Sequence, residues 1–208
     1  MTDSYLSIAK PSTAEYSEKR SKFLAFAFPV KTTEEVKALV AQYEKEYYDA
    51  RHVCYAYMLG HERLVFRTVD NGEPSGTAGK PILGQINSAN LTDILIIVVR
   101  YFGGVKLGTS GLIQAYKTAA AEAIAQAEVQ EYTVDDRVDV HFEYTLMNAV
   151  MRVVKEVGPD VLGQSYENNC ILHLSLRRSL VPQLTEKLLL IRGVEVKVLE
   201  QDDKMEEV

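Results

Sequence analysis

Ile94-Leu-Ile-Ile-Val-Val-Arg-Tyr-Phe-Gly-Gly-Val-Lys-Leu-Gly-Thr-Ser-Gly111 runs from an unbroken apolar stretch straight into a glycine-rich turn. The run Ile94 to Val99 has the pattern of a strand covered on both faces. Gly103, Gly104, Gly108 and Gly111 then permit backbone conformations with φ > 0, and Thr109 or Ser110 is placed to cap the helix that follows. A helix N-terminus carries unpaired N–H donors and a partial positive charge, with Arg100 and Lys106 beside it. The stretch is therefore a candidate anion site. It is neither of the two common phosphate loops, since no lysine directly precedes the hydroxyl residue and no G-x-G-x-x-G reads across it. The structural alternative is a set of glycines that only lets a strand turn tightly into a helix.

A second loop, Asp70-Asn-Gly-Glu-Pro-Ser-Gly-Thr-Ala-Gly-Lys-Pro81, supports the functional reading. Asp70-Asn71-Gly72 is a turn signal. Glu73, Ser75, Thr77 and Lys80 form a polar set expected to bury almost nothing, of the kind found on binding loops of a rigid scaffold. Pro81 suits the first turn of a short helix over 82–86.

Outward from these loops, Lys22 to Val30 alternates Leu24, Phe26 and Phe28 with Phe23, Ala25 and Ala27, a strand with two covered faces. Thr32-Thr-Glu-Glu35 has the form of a capping box, and Val36, Leu39, Val40, Tyr43 and Tyr47 follow at helical spacing, so a helix is expected over about 33–48. Arg51 to Met58 and Glu62 to Val69 read as a hairpin around Leu59-Gly60-His61. The short helix, the strand from Ile94 and a helix to about Ala127 complete a β-α-β-β-α-β-α domain over residues 1–130.

Residues 131–200 read as a second domain. Val134 to Tyr144 is a strand, and Leu146, Val150, Val153, Val154 and Val157 form a helical stripe that stops at Gly158-Pro159. Val161 to Tyr166 and Ile171 to Leu176 bracket Glu167-Asn-Asn169 as a hairpin, Val181 to Ile191 is a helix, and Val194 to Leu199 a strand. This β-α-β-β-α-β order is ferredoxin-like, a four-stranded antiparallel sheet with two helices on one face. Glu128 to Tyr132 reads as a short linker, and residues 201–208 as an acidic tail. The fold class is α+β with two domains, which suits a length of 208 residues.

At 47% hydrophobic and 25% charged residues, the composition is that of an ordinary globular protein. No apolar run is long enough to span a bilayer, and Met1 to Tyr5 has no export signal, so no membrane partner and a cytoplasmic location are expected. Cys54 and Cys170 fall in different domains without metal or redox spacing, which favours reduced thiols. The net charge of −6 and pI near 5.3 argue against non-specific nucleic-acid binding and predict no DNA specificity. The excess acidity lies beyond residue 130, however, so only a local patch in the first domain has the charge to neutralise phosphates.

His52 shares a strand face with Cys54, while Arg51, Val53 and Tyr55 point the other way. A thiol beside an imidazole suggests a nucleophile, but no third orienting group is legible, and a packed thiol with a hydrogen-bonded histidine is preferred. His61, His141 and His173 read as structural or solvent-facing. Asp70 and Glu73 make a weak metal pair, and Ser75 sits in no nucleophile elbow, so neither metal nor cofactor is called for. Tyr101-Phe102 and Tyr55-Ala-Tyr57 have the chemistry to stack on bases, with half-buried packing as the commoner use of such residues.

The two loops, together with Arg20-Ser-Lys-Phe23 and Arg51-His-Val-Cys-Tyr-Ala-Tyr57, resemble the IMPACT family and specifically its bacterial YigZ-type members, over roughly residues 15–127. That resemblance implies a first domain similar to a domain of a small-subunit ribosomal protein and to domain IV of elongation factor G. It implies a second domain similar to the last domain of the same factor. Eukaryotic relatives restrain a starvation-activated kinase pathway of translation initiation by competing for a partner protein. Ser110 stands where the family leads one to expect glycine, and Gln114 where it leads one to expect arginine, which removes a positive charge near the anion site.

Two function classes follow. The first is a noncatalytic module binding RNA, the ribosome or a translation-regulating protein through Arg51, His52, Asp70, Glu73, Ser75, Thr77, Lys80, Arg100, Tyr101, Gly103, Gly104, Lys106, Gly108 and Thr109. The second is a small enzyme for a phosphorylated or other anionic substrate, with Asp70 or Glu73 as base. The missing catalytic constellation favours the first.

Overall fold

The computed structural model describes residues 3–166 and 170–199. The turn read at Glu167-Asn-Asn169 and the acidic tail lie outside the described residues. The chain divides into two compact units, one spanning Ser4–Tyr132 and the other running from Thr133 onward with Asp3.

The first unit contains β1 (Ser4–Ile8), β2 (Ser12–Glu18), β3 (Ser21–Pro29), α1 (Thr33–Glu46), β4 (His52–Leu59), β5 (Val65–Val69), α2 (Gly79–Ser88), β6 (Ile94–Tyr101), α3 (Gly108–Ala125) and β7 (Val129–Thr133). Five strands form an antiparallel sheet in the order β2-β3-β6-β4-β5. As the central strand, β6 is covered on both sides, and each residue from Ile94 to Val99 is fully buried. The alternation in β3 divides the core. Phe23, Ala25 and Ala27 pack with Ile82, Ile86, Leu112 and Tyr116 of α2 and α3. Leu24, Phe26 and Phe28 meet Val36, Val40 and Tyr43 of α1 on the opposite face.

The start of α1 is the expected capping box: Thr32 Oγ1 accepts the Glu35 N–H at 3.2 Å, and the Glu35 carboxylate accepts the Thr32 N–H in return. The start of α3 differs from expectation. Its N-cap position is Leu107, and no side chain caps it. Thr109 and Ser110 lie within the first turn, where a hydroxyl is past the capping position.

Two further strands precede the expected first one. β2 pairs with β3 along its whole length, and β1 pairs with β7 in a separate two-stranded sheet. The stretch read as a linker is thus mostly strand.

The second unit contains β8 (Asp135–Phe142), α4 (Met147–Val157), β9 (Asp160–Tyr166), β10 (Cys170–Arg177), α5 (Val181–Leu189) and β11 (Glu195–Leu199). Its antiparallel sheet has the order β11-β8-β10-β9, the β-α-β-β-α-β arrangement anticipated from the pattern. Val138, Val140, Leu172 and Leu174 pack against Val150 and Val154 of α4 and Leu184 and Leu188 of α5. Gly158, at φ +77°, closes α4 in the left-handed conformation that glycine adopts at low cost.

Candidate functional site

Register brings both polar loops of the first unit to one end of its sheet. Arg100, near the end of β6, pairs with Phe23 of β3 and His52 of β4, and the Arg51 N–H donates to the Arg100 carbonyl at 2.9 Å. The Lys19-Arg20 turn, the start of β4, the loop from Asp70 to Ala78 and the loop from Phe102 to Leu107 therefore share one rim.

Beneath that rim lies a buried polar network. Arg100 Nη1 donates to Glu73 Oε1 at 2.6 Å, and the Tyr116 hydroxyl donates to the same oxygen at 2.9 Å. Arg100 is 5% exposed and Glu73 8%. The guanidinium lies 5.5 Å from the ring centroid of Phe23 and 5.7 Å from that of Phe102, and its Nε has no hydrogen-bond partner. His52 Nδ1 is 2.9 Å from the Asn71 carbonyl, an acceptor, so that nitrogen carries the proton; Nε2 stands 3.8 Å from Glu73 Oε2. The Cys54 thiol donates to the Asp70 carbonyl at 2.8 Å and lies 3.4 Å from the Tyr116 hydroxyl.

Asp70 organises the first loop. Its carboxylate accepts N–H groups from Gly76 at 2.7 Å, Ala78 at 3.0 Å and Gly79 at 2.9 Å. Partial burial raises its pKa, but those three donors and the charge of Lys80 outweigh it and hold the carboxyl below its ordinary value. Because Asp70 satisfies the first amides of α2 from outside the helix, α2 begins at Gly79, three residues earlier than expected.

The expected site residues therefore separate into two groups. Arg100, Glu73 and Thr77 are buried, which corrects the expectation that they lie on a contact surface and that this loop buries almost nothing. An ion pair satisfied inside the fold has no charge left over for a partner. Arg51, Ser75, Lys80, Gly104, Lys106, Gly108 and Thr109 are exposed, whereas His52, Asp70, Tyr101 and Gly103 are partly covered. Tyr101 donates its hydroxyl to Asp49. Gly103 makes a close approach: a Cβ there would lie 2.0 Å from the Arg20 carbonyl carbon.

Sequence reasoning missed Tyr116 and the Lys19-Arg20 turn. Tyr116 stands in α3 among Ala115, Ala119, Ala120 and Ala123, and a single tyrosine in an alanine stripe was the available signal. Lys19, Arg20, Arg51, Lys80 and Lys106 are all exposed, and among the described residues none of them makes a salt bridge. Phe102 beside them is 48% exposed.

Residues 19–124, the segment holding this rim and network, match a family described as the Impact N-terminal domain. IMPACT family member YigZ of Escherichia coli (strain K12) is 32% identical over 190 residues, covering 89% of this chain and 92% of that protein. The chain belongs to the IMPACT family. A Thermus thermophilus IMPACT family member is 45% identical over 109 residues, 52% of this chain and 58% of the relative. A crystal structure described as that of a hypothetical protein superposes with a TM-score of 0.74 at 30% identity, covering 97% of this chain and all of that one.

In this IMPACT family chain the reactive groups of the network are directed inward. Burial pushes the Cys54 thiol up to about 12, against a weaker opposing effect of its Tyr116 contact, so the thiol is protonated and poorly nucleophilic at neutral pH. Burial, with Cys54 and Glu73 nearby, also raises the Tyr116 phenol. Among the described residues no group of His, Cys, Asp and Glu has the arrangement to hold a metal ion, and no described helix is long and apolar enough to cross a membrane. The rim offers cations, loop backbone and the exposed ring of Phe102.

Proposed function

We propose that this protein is a noncatalytic, cytoplasmic module of translation control that binds structured RNA, on the ribosome, through the cationic rim of its first unit. The carrying observation is the gathering of exposed Arg20, Arg51, Lys80 and Lys106, none in a salt bridge among the described residues, around two loops at one end of the sheet. Polyanion binding draws on exposed cations of this kind, and Phe102 adds a face on which a base can stack. The rim belongs to a unit whose charges balance, so the overall acidity of the chain does not oppose binding there. The likeness that the family resemblance implies, of the first unit to the ribosomal-protein and elongation factor G domain IV type of fold and of the second to domain V of that factor, supports the same reading by analogy alone.

The enzyme reading is less well supported, because both candidate bases are already engaged. The Asp70 carboxylate is engaged by three backbone amides, and Glu73 by Arg100 and Tyr116.

Cosedimentation with ribosomal particles and total RNA over a salt series tests the proposal, comparing wild type with a Lys80→Ala, Lys106→Ala double variant. Saturable, salt-sensitive binding that the variant loses is the expected result. No wild-type binding at low salt overturns it and leaves a protein partner as the alternative.

A further inference from the structure

The turn between β2 and β3 holds two cations in a backbone conformation that disfavours them. Glu18 pairs with Ser21, so Lys19 and Arg20 alone form the hairpin loop. Their φ values are +45° and +66°, the two positive values of a type I′ turn, which is why Asn-Gly is the favoured pair at such a site. A side chain with a Cβ is strained in that region. Residues kept in such conformations concentrate where a side chain is needed for function.

The surroundings hold this turn in place. Gly103 comes so close to Arg20 that only glycine fits, and the Gly103 N–H donates to Ser21 Oγ at 3.2 Å. Ser21 is fully buried, with Arg100 Nη2 3.5 Å from the same oxygen. The turn is thereby clamped to the glycine-rich loop of the rim. Of the acids of the hairpin, Glu15 is paired with Lys22, and Glu18 accepts the Tyr16 hydroxyl while keeping its own charge. Lys19 and Arg20 are exposed and free of ion pairs among the described residues.

We propose that the Lys19-Arg20 turn is a rigid phosphate-contacting finger of the rim, directed at the sugar-phosphate backbone of a structured RNA. This rests on the RNA-binding reading above and adds to it Lys19 and a fixed placement of Arg20. A clamped backbone presents both charges at fixed positions, which suits the regular phosphates of a folded RNA strand better than a mobile acidic peptide. The strain is the counterpart of keeping charge where Asn-Gly would fold more readily.

The test measures binding of a fluorescently labelled RNA stem-loop over a salt series, with the thermal midpoint of the same samples, on the full chain. Lys19→Asn with Arg20→Gly should raise the midpoint by roughly 3–6 °C and flatten the log–log salt dependence of the affinity by about two units. Lys19→Gln with Arg20→Gln keeps the backbone demand and should flatten the dependence equally without the rise. If the salt dependence is unchanged in both variants while Lys80→Ala with Lys106→Ala still loses binding, the finger is overturned and the rim stands. If wild type shows no saturable RNA binding at low salt, or binds polyglutamate as tightly as RNA, the finger and the RNA reading fall together. A lowered midpoint in the Asn-Gly variant overturns the strain on which the finger is argued.

Discussion

Glu73 Oε1 and Arg100 Nη1 stand 2.6 Å apart beneath the loop that joins β5 to α2, and their side chains are 3% and 6% exposed. The pair links a loop to the central strand across 27 positions of sequence. A charge pair so enclosed must be complete to be tolerated, because either partner alone is a desolvated charge.

Glu73→Gln should therefore destabilise the protein by about 3–5 kcal/mol, read as a lower urea midpoint. Arg100→Met combined with Glu73→Leu should recover part of the loss, because it removes both charges. A Glu73→Gln midpoint equal to wild type would show that the pair contributes nothing to stability.

Asp70→Ala removes the acceptor for three loop and helix amides and should cost about 1–2 kcal/mol, the range of a lost cap. The Asp70 carboxyl is held below its ordinary 3.8 in the fold. The unfolded chain therefore binds the proton first as pH falls, and this contribution, complete above about 3.8, is lost as pH drops through the lower folded value. Stability between pH 6 and roughly pH 3, measured by urea unfolding, should fall less steeply in Asp70→Ala than in wild type. Parallel curves would contradict that assignment.

The Cys54 thiol, pushed up to about 12 from an ordinary 9.0, titrates with the opposite sign. Between those values the native state keeps a proton that the unfolded chain releases, so stability is complete below about pH 9 and declines as pH rises toward 12. Tyr116, raised above its ordinary 10.0, adds to the decline. Cys54→Ala should lose less stability between about pH 8 and 10.5 than wild type does. The proposed RNA binding at neutral pH should be unchanged in this variant, and native Cys54 should resist thiol reagents at pH 8. Rapid labelling of Cys54 in the folded protein would overturn the reading of a packed thiol.

The sheet of the first unit was legible where burial is two-sided. Ile94 to Val99 is an unbroken apolar run of the kind a doubly covered strand needs, and β3 alternates two sets of apolar residues between its faces. Thr32 and Glu35 similarly mark the start of α1 with side chains that make the bonds expected of them. β1, β2 and β7 were not legible, because Ser12-Thr-Ala-Glu-Tyr-Ser-Glu18 lies at a sheet edge and Val129 to Thr133 is largely exposed. Edge strands are held by backbone pairing, which leaves little pattern in the side chains. Local sequence also located the two loops but not their interior. Glu73, Arg100 and Tyr116 are far apart in the chain, and only their convergence turns two apparent surface charges into a buried pair.

Gly103 and Gly104 are adjacent and look interchangeable in sequence, yet they should respond differently to alanine. At Gly104, with φ +86° and nothing within 4 Å of a built Cβ, alanine meets only backbone strain, about 1–2 kcal/mol. At Gly103 the same Cβ would lie 2.0 Å from the Arg20 carbonyl carbon, 2.2 Å from its oxygen and 2.4 Å from the Ser21 nitrogen. All three are backbone atoms, so relief requires the hairpin turn to move away from the glycine-rich loop. Gly103→Ala should show the larger fall in thermal midpoint and, where it folds, a shallower salt dependence of the proposed RNA binding. Gly104→Ala should keep the wild-type salt dependence. Equal midpoints in the two variants would mean that the turn and the loop are not clamped, and the rigidity assigned to Lys19 and Arg20 would lose its structural basis.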